Sequence, residues 1–333
     1  MPKKNKIIAI AGNPNCGKTV IFNRLTGSRQ KVGNWAGVTV EQKSGYFSLE
    51  GHDYEIVDLP GTYSLSVIGD NCAIDECIAC NYLLTKPPDL VINVVDASNL
   101  ERQLYLTAQL LEMQIPVVVA LNMMDMAKRR GIHIDIAQLS RSLHCPIISL
   151  TAIHGFGIAE LRRALLVIPQ TNSTLPYSFA PLLQGALQTL TEKLAPKNLP
   201  RPWLALRLLE EDRLARHYTS AEELSHVTVL IQQLKNQCGE EIDLLIADAR
   251  YRWIQSILKP SLVVNPQGKT FTSRLDRIVL NRYLGIPIFL LVMYTLFLFA
   301  INVGGAFQDF FDIGSTAIFI QVIIYLLTPL HWS

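Results

Sequence analysis

"GNPNCGKT", Gly12–Thr19, is the stretch on which the fold turns. It fits the pattern G-x-x-x-x-G-K-[ST], whose glycines let backbone N–H groups turn inward around phosphate oxygens. The flanks supply the required context. "KIIAIAG" before it is a short apolar run ended by glycine, a buried strand. "VIFNRLTG" after it reads as a helix stopped by Gly27. A glycine-rich turn with a stray lysine would not come with a strand on one side and a helix on the other. The loop residues Gly12, Asn13, Pro14, Asn15, Cys16 and Gly17, with Val20 just inside the helix, are therefore candidate nucleotide contacts. Lys18 reaches the β- and γ-phosphates in such loops, and the Thr19 hydroxyl holds Mg²⁺.

Further motifs follow in the order this reading requires. "DLPG" closes the strand pattern "HDYEIVDLPG", so Asp58 is a candidate for the Mg²⁺ shell and the Gly61 amide for sensing the γ-phosphate. Thr39, in "GNWAGVTVE", lies between these motifs, where a mobile loop brings a hydroxyl onto Mg²⁺. "ALNMMD" ends another apolar strand. The Asp125 carboxylate there can accept both donors that distinguish guanine, N1–H and the exocyclic amine. Asn122 can bond the purine and tie back to the phosphate loop. Met123 stands where guanine readers usually carry lysine, and its unbranched chain can cover the same face of the base. "SLTA" supplies Ser149, Thr151 and the Ala152 amide as a last base-contacting loop. Thr62, after "DLPG", stands where a water-orienting glutamine is found in Ras-like enzymes, so unaided hydrolysis should be slow. The Asn15 side-chain oxygen is well placed for a monovalent cation beside the phosphates.

Strand patterns alternate with helical ones, predicting a doubly wound, mostly parallel sheet over residues 1–170. "QTNSTLPYSFAP" is linker-like, and the periodicity within 171–260 is helical, a small all-α domain. Residues 261–282 read as a second linker, and 283–333 as membrane segments. The run from Tyr283 through Gln308 carries no charge and is long enough to span a bilayer. Arg274, Arg277 and Arg282 before it favour a cytoplasmic N-terminal side. Asp309 and Asp312 are expected near the far interface, and "STAIFIQVIIYLL" is a second, broken apolar run. The 333 residues carry a net charge of +2 and a mean hydropathy of +0.24. That field is too weak to point to nucleic acid. Six cysteines show no disulfide framework, and Cys77-x-x-Cys80 lacks the second pair that a zinc site needs.

Taken together, "GNPNCGKT", "GNWAGVTVE", "DLPGTYSL", "VVDASNLERQLYL" and "ALNMMD" resemble the G domain of the bacterial ferrous-iron transporter FeoB family, whose usual form of the base motif is Asn-Met-x-Asp. "RYRWI" and "TSRLDRIVLNRYLGIPIFLLVMY" extend the likeness into the family's first membrane helix. The resemblance implies a P-loop GTPase, then a helical domain that restrains nucleotide dissociation, then a polytopic permease in the bacterial inner membrane. It implies K⁺ activation, with Asn15 and the backbone of Gly33 and Trp35 around the ion, and catalytic roles for Lys18, Thr39, Gly61 and Asn15. It implies GTP and GDP, the lipid bilayer, small accessory Feo proteins and a second copy of the chain as partners. Fe²⁺ would be met only through permease segments beyond these residues. Two other classes share the phosphate loop. A GTPase of RNA modification or ribosome assembly would bring a basic nucleic-acid module, which is not seen. A structural adaptor with a dead nucleotide site conflicts with intact Lys18, Thr19, Thr39 and Asp58.

Overall fold

The computed structural model describes residues 6–27, 30–68, 73–171, 173–195, 199–264, 279–281, 283–316 and 324. Contacts divide the chain into two units, residues 1–266 and 267–333, which are described separately. The first is built on a seven-stranded sheet. Its strands are β1 (Lys6–Gly12), β2 (Gln30–Asn34), β3 (Glu41–Leu49), β4 (His52–Asp58), β5 (Leu90–Asp96), β6 (Val117–Asn122) and β8 (Ile147–Ser149). The spatial order is β2-β3-β4-β1-β5-β6-β8. β2–β3 and β3–β4 are antiparallel and the other pairs are parallel.

The pleat sorts side chains to two faces, and β5 shows how. Leu90, Ile92 and Val94 join Ile8, Ile10 and Ile56 under α1 (Lys18–Thr26) and α6 (Ile158–Ala164). Val91 and Val95 face the other way, toward α2 (Ile74–Thr85), α3 (Leu100–Glu112) and α5 (Ile136–Leu143). Both faces are buried, so parallel strands such as "LVINVVD" read as nearly continuous apolar runs.

Beyond the sheet come α7 (Pro181–Lys193), α8 (Arg201–Leu209), α9 (Arg213–His217), α10 (Ala221–Cys238) and α11 (Ile242–Ser261). Asp212 caps α9 through the Leu214 and Ala215 amides, and a Ser220–Glu223 capping box opens α10. Trp203, Leu204, Ile246 and Ile254 from these helices share one apolar cluster with the α3 face of the sheet. Among them lies a buried ion network. Arg250 makes a two-pronged bond to Glu112 of α3, at 2.7 and 3.0 Å, and reaches Glu210 at 2.5 Å. Arg207 bonds Glu210 at 3.0 Å. Burial alone would raise the Glu210 carboxyl, but Arg250 and Arg207 hold it below the usual carboxylate range.

Three features depart from the sequence reading. The strand expected from Val38 begins only at Glu41, and β2 pairs with it as an unforeseen hairpin. The second linker contains β9 (Leu262–Val264), which pairs antiparallel with β7 (Ile132–Ile134). Cys77 is disulfide-bonded, where the cysteine spacing suggests no such framework.

Among the described residues the second unit contains one long helix, α12 (Gly285–Ser315), 31 residues that are mostly apolar, with many of the large apolar side chains exposed. At 1.5 Å per residue it is about 46 Å long, more than a hydrocarbon core needs. By length and composition it is a candidate membrane span. It continues past Asp312 rather than ending at the acidic pair. Arg274, Arg277, Arg282 and nearly all of the second apolar run lie outside the described residues.

Candidate functional site

The site lies at the carboxyl ends of β1, β4, β5 and β6, where the strand order reverses about β1. β1 stops at Gly12 and α1 starts at Lys18, so Asn13–Gly17 form the turn between them. Asn15 (φ 64°) and Gly17 (φ 94°) are left-handed. Such turns aim successive N–H groups into one concavity at a helix N-terminus. Gly17 is needed twice over: a side chain would be strained by that φ, and its Cβ would lie 2.3 Å from Asn122 Nδ2.

That contact marks the central brace of the site. Asn122 is buried at the end of β6. Its Nδ2 donates to the Cys16 carbonyl at 2.9 Å, and its Oδ1 accepts from the Ala152 amide at 3.0 Å. One side chain thus ties the phosphate loop to the "SLTA" loop. The Ala152 amide, expected to face the base, is committed to Asn122 in this arrangement. Met123 takes a left-handed conformation (φ 61°) and caps α4 (Met124–Arg129) without a side-chain bond. Asp125, in the first turn of α4, is half-buried and does not cap the helix, which leaves its carboxylate to accept from a ligand. Ser149 is exposed, and Thr151 is half-buried with its amide on the Phe156 carbonyl.

"DLPG" closes over the phosphate loop from β4. Leu59 N–H donates to the Ile10 carbonyl at 3.0 Å and Thr62 N–H to the Gly12 carbonyl at 3.3 Å. A Cβ on Gly61 would stand 3.3 Å from both Lys18 Nζ and Pro14 Cα, so this backbone sits directly beside the lysine. Asp58 lies at the end of β4. Burial raises its carboxyl, opposed by Lys18 and Lys43, and its Oδ1 has no hydrogen-bond partner among the described residues. A desolvated carboxylate with an open oxygen next to a phosphate loop fits a divalent cation. Thr19 is exposed one residue into α1.

The remaining expected residues sit on the β2–β3 hairpin, its turn and the end of the "DLPG" loop. Gly33 is held in the β2–β3 ladder opposite Gln42. The Trp35 amide donates to the Val40 carbonyl at 2.9 Å, and the Trp35 carbonyl accepts from Val38 at 3.2 Å. Thr39 is exposed in the turn these bonds close. Thr62 is buried and turned inward, its hydroxyl donating to the Ser64 carbonyl at 2.6 Å. Burial raises the carboxyl of Glu76 in α2, and the neighbouring Thr62 hydroxyl opposes that shift. The sequence reading missed Glu76, and missed Gln109, whose side chain holds Ser64, Leu65 and Ser66. Both sit on helices whose periodicity marks only the apolar face. No group of three or more His, Cys, Asp or Glu that could hold a metal occurs among the described residues. Cys80, pushed up to about 12 by burial, is a core thiol.

A strand–GNPNCGKT–helix loop, a "DLPG" loop folded onto it and an Asn-x-x-Asp strand end braced to the phosphate loop define a P-loop protein of the GTPase fold. The family model for ferrous iron transport protein B matches residues 6–165, and that for the FeoB cytosolic helical domain matches residues 179–263. The Fe(2+) transporter FeoB of Escherichia coli K12 is 48% identical over 99% of this chain, and that of Salmonella typhimurium is 47% identical over the same share. The chain spans 43% of the length of each. The cytosolic domain of L. pneumophila FeoB superposes with a TM-score of 0.67 at 40% identity, covering 78% of this chain and all of that one. A point mutant of S. thermophilus NFeoB bound to GDP superposes at 0.70 with 34% identity, over 78% of this chain and all of that one. The chain belongs to the FeoB family.

Proposed function

We propose that this chain binds GTP with Mg²⁺, hydrolyses it to GDP and phosphate, and serves as the nucleotide-driven part of a membrane protein that moves Fe²⁺. The observation that supports the guanine assignment best is the Asn122 brace. It fixes the strand end that carries Asp125 against the phosphate loop at 2.9 Å, so base and phosphates are read by one rigid assembly. Asp125 accepts the two guanine donors, Met123 covers the ring face, and the Asn13–Gly17 amides with Lys18 bind the phosphates.

Thr19, Asp58 and, after loop closure, Thr39 would hold Mg²⁺, which supplies charge neutralisation between the β- and γ-phosphates. The Gly61 amide, beside Lys18, would meet the γ-phosphate. Thr62 faces inward and cannot orient the attacking water, so hydrolysis is slow without a further charge. Asn15, exposed at the loop, is the proposed K⁺ ligand, joined by the Gly33 and Trp35 carbonyls once they leave the hairpin. α12 anchors the chain in the bacterial inner membrane, with residues 1–266 in the cytosol. Support comes from the relatives' description as Fe(2+) transporters and from matched structures described as cytosolic domains. Small accessory proteins and a second copy of the chain are proposed partners. Competition binding tests the nucleotide assignment: GDP and GTP should displace a labelled guanine nucleotide well below the concentration at which ATP does. Equal displacement by ATP would refute it.

A further inference from the structure

The segment that must carry Thr39 to the nucleotide is closed and anchored in this structure. β2 and β3 zip it from Gln30↔Gly45 to Asn34↔Glu41, and the Trp35–Val40 bond closes the turn. The anchor is the Trp35 side chain. It is 8% exposed, although the five residues before it are mostly in solvent. Its ring meets Tyr82 of α2 edge-on, at 5.3 Å between centroids and 78° between planes. The same cluster holds Leu65 and Val67, from the chain that follows "DLPG", and Ala79, Cys80 and Leu83 of α2. Trp35 therefore pins the Thr39 loop to α2 through Tyr82.

The anchor is imperfect in one respect. Trp35 Nε1 is buried with no hydrogen-bond partner among the described residues. A buried unpaired donor loses its hydration without replacement. The apolar burial and aromatic contact hold the ring in; the orphaned N–H opposes them. Such a balance suits a contact that is broken in use. While the bonds that close the hairpin last, Thr39 is held, exposed to solvent, in the turn between Trp35 and Val40.

Resting on the proposed role of Thr39, we propose that Trp35, packed on Tyr82, is an autoinhibitory latch that holds the Thr39 loop in the hairpin and must release for the GTP-bound state to form. GDP needs no Thr39 and binds with the latch shut. GTP affinity is reduced by the small fraction of molecules in which the latch is open. Loosening the latch then strengthens GTP binding selectively.

The test uses the full chain in detergent, with GDP and a non-hydrolysable GTP analogue in Mg²⁺. Tyr82→Leu and, separately, Trp35→Leu keep an apolar side chain but lose the ring contact; Tyr82→Phe keeps the ring. Both leucine variants are expected to bind the analogue at least about fivefold more tightly than the parent, a coupling of the usual allosteric size, and Tyr82→Leu, outside the nucleotide and cation sites, to leave GDP affinity unchanged. Tyr82→Phe should behave as the parent. Hydrogen exchange on the unmodified chain avoids any folding defect of the variants. Amides of residues 32–42 should be protected with GDP and exposed with the analogue. Equal protection in both states, or leucine variants that shift GDP and analogue equally, would overturn the latch. Thr39→Ala separates the two ideas. If it leaves analogue binding untouched, the role of Thr39 fails. If it weakens the analogue while the hairpin stays protected, the latch alone fails.

Discussion

Asn122 serves two loops with one amide, and its loss should be felt by every guanine nucleotide. Asn122→Ala leaves the Cys16 carbonyl and the Ala152 amide without their partner, at about 1–3 kcal/mol for each group left unsatisfied. GTP and GDP affinity should fall together by about tenfold or more, measured by titration calorimetry. Asp125→Asn should act differently. It removes acceptance of the exocyclic amine, so guanine binding weakens by a few kcal/mol, about the value of a lost buried pair. Xanthine nucleotides, which carry an oxygen at that position, should now be preferred; unaltered guanine preference would remove Asp125 from the site. Asn15→Ala should abolish any excess of turnover in K⁺ over Na⁺ while GDP binding stays, because Lys18 and the loop amides remain. A K⁺ response that survives intact would put the cation elsewhere.

At the level of elements, the sheet and its phosphate loop were legible because β-branched strands, glycine turns and helical periods coincide with the motifs. The hairpin of β2 was not. "QKVGN" is mostly exposed and polar, and its pairing with β3 comes from backbone bonds that leave no apolar alternation. β9 was hidden for the same reason, as three residues inside a Pro- and Lys-containing linker. Within the site, residues that follow glycines and strand ends were readable, whereas Glu76 and Gln109 act from helix faces without spacing signals. The Glu112–Arg250–Glu210–Arg207 network was also invisible, because nothing local distinguishes a buried arginine from a solvated one. Its energetic role is testable. Glu210→Ala leaves two guanidinium groups buried short of a partner, so urea unfolding should show a loss of about 3–5 kcal/mol. Glu210 has a folded pKa below its unfolded one, so its contribution is fully present above the ordinary carboxylate range. It is lost as pH falls through the lowered folded value. The stability gap between parent and variant should therefore be constant near neutrality and narrow only in strong acid. A gap that widens in acid would contradict the assignment.

For the whole molecule, the proposed membrane attachment rests on α12, the candidate span among the described residues. Chains ending near Thr272 should remain in solution and retain guanine-nucleotide binding, since the matched cytosolic domains cover 78% of this chain. The 333-residue chain should sediment with membranes and need detergent for release. A single candidate span among the described residues cannot enclose a polar ion path, because an ion at bilayer depth needs protein or water around it. Liposomes carrying these 333 residues alone should therefore show no GTP-dependent Fe²⁺ uptake, and uptake would disprove that division of labour. Whether the site reads guanine and turns over its triphosphate is decided by phosphate release from the detergent-solubilised chain in Mg²⁺ and K⁺. Slow, multiple-turnover release from GTP and none above background from ATP is the expected result; release from ATP at a matching rate, or none from either nucleotide, would rule out a guanine-specific GTPase.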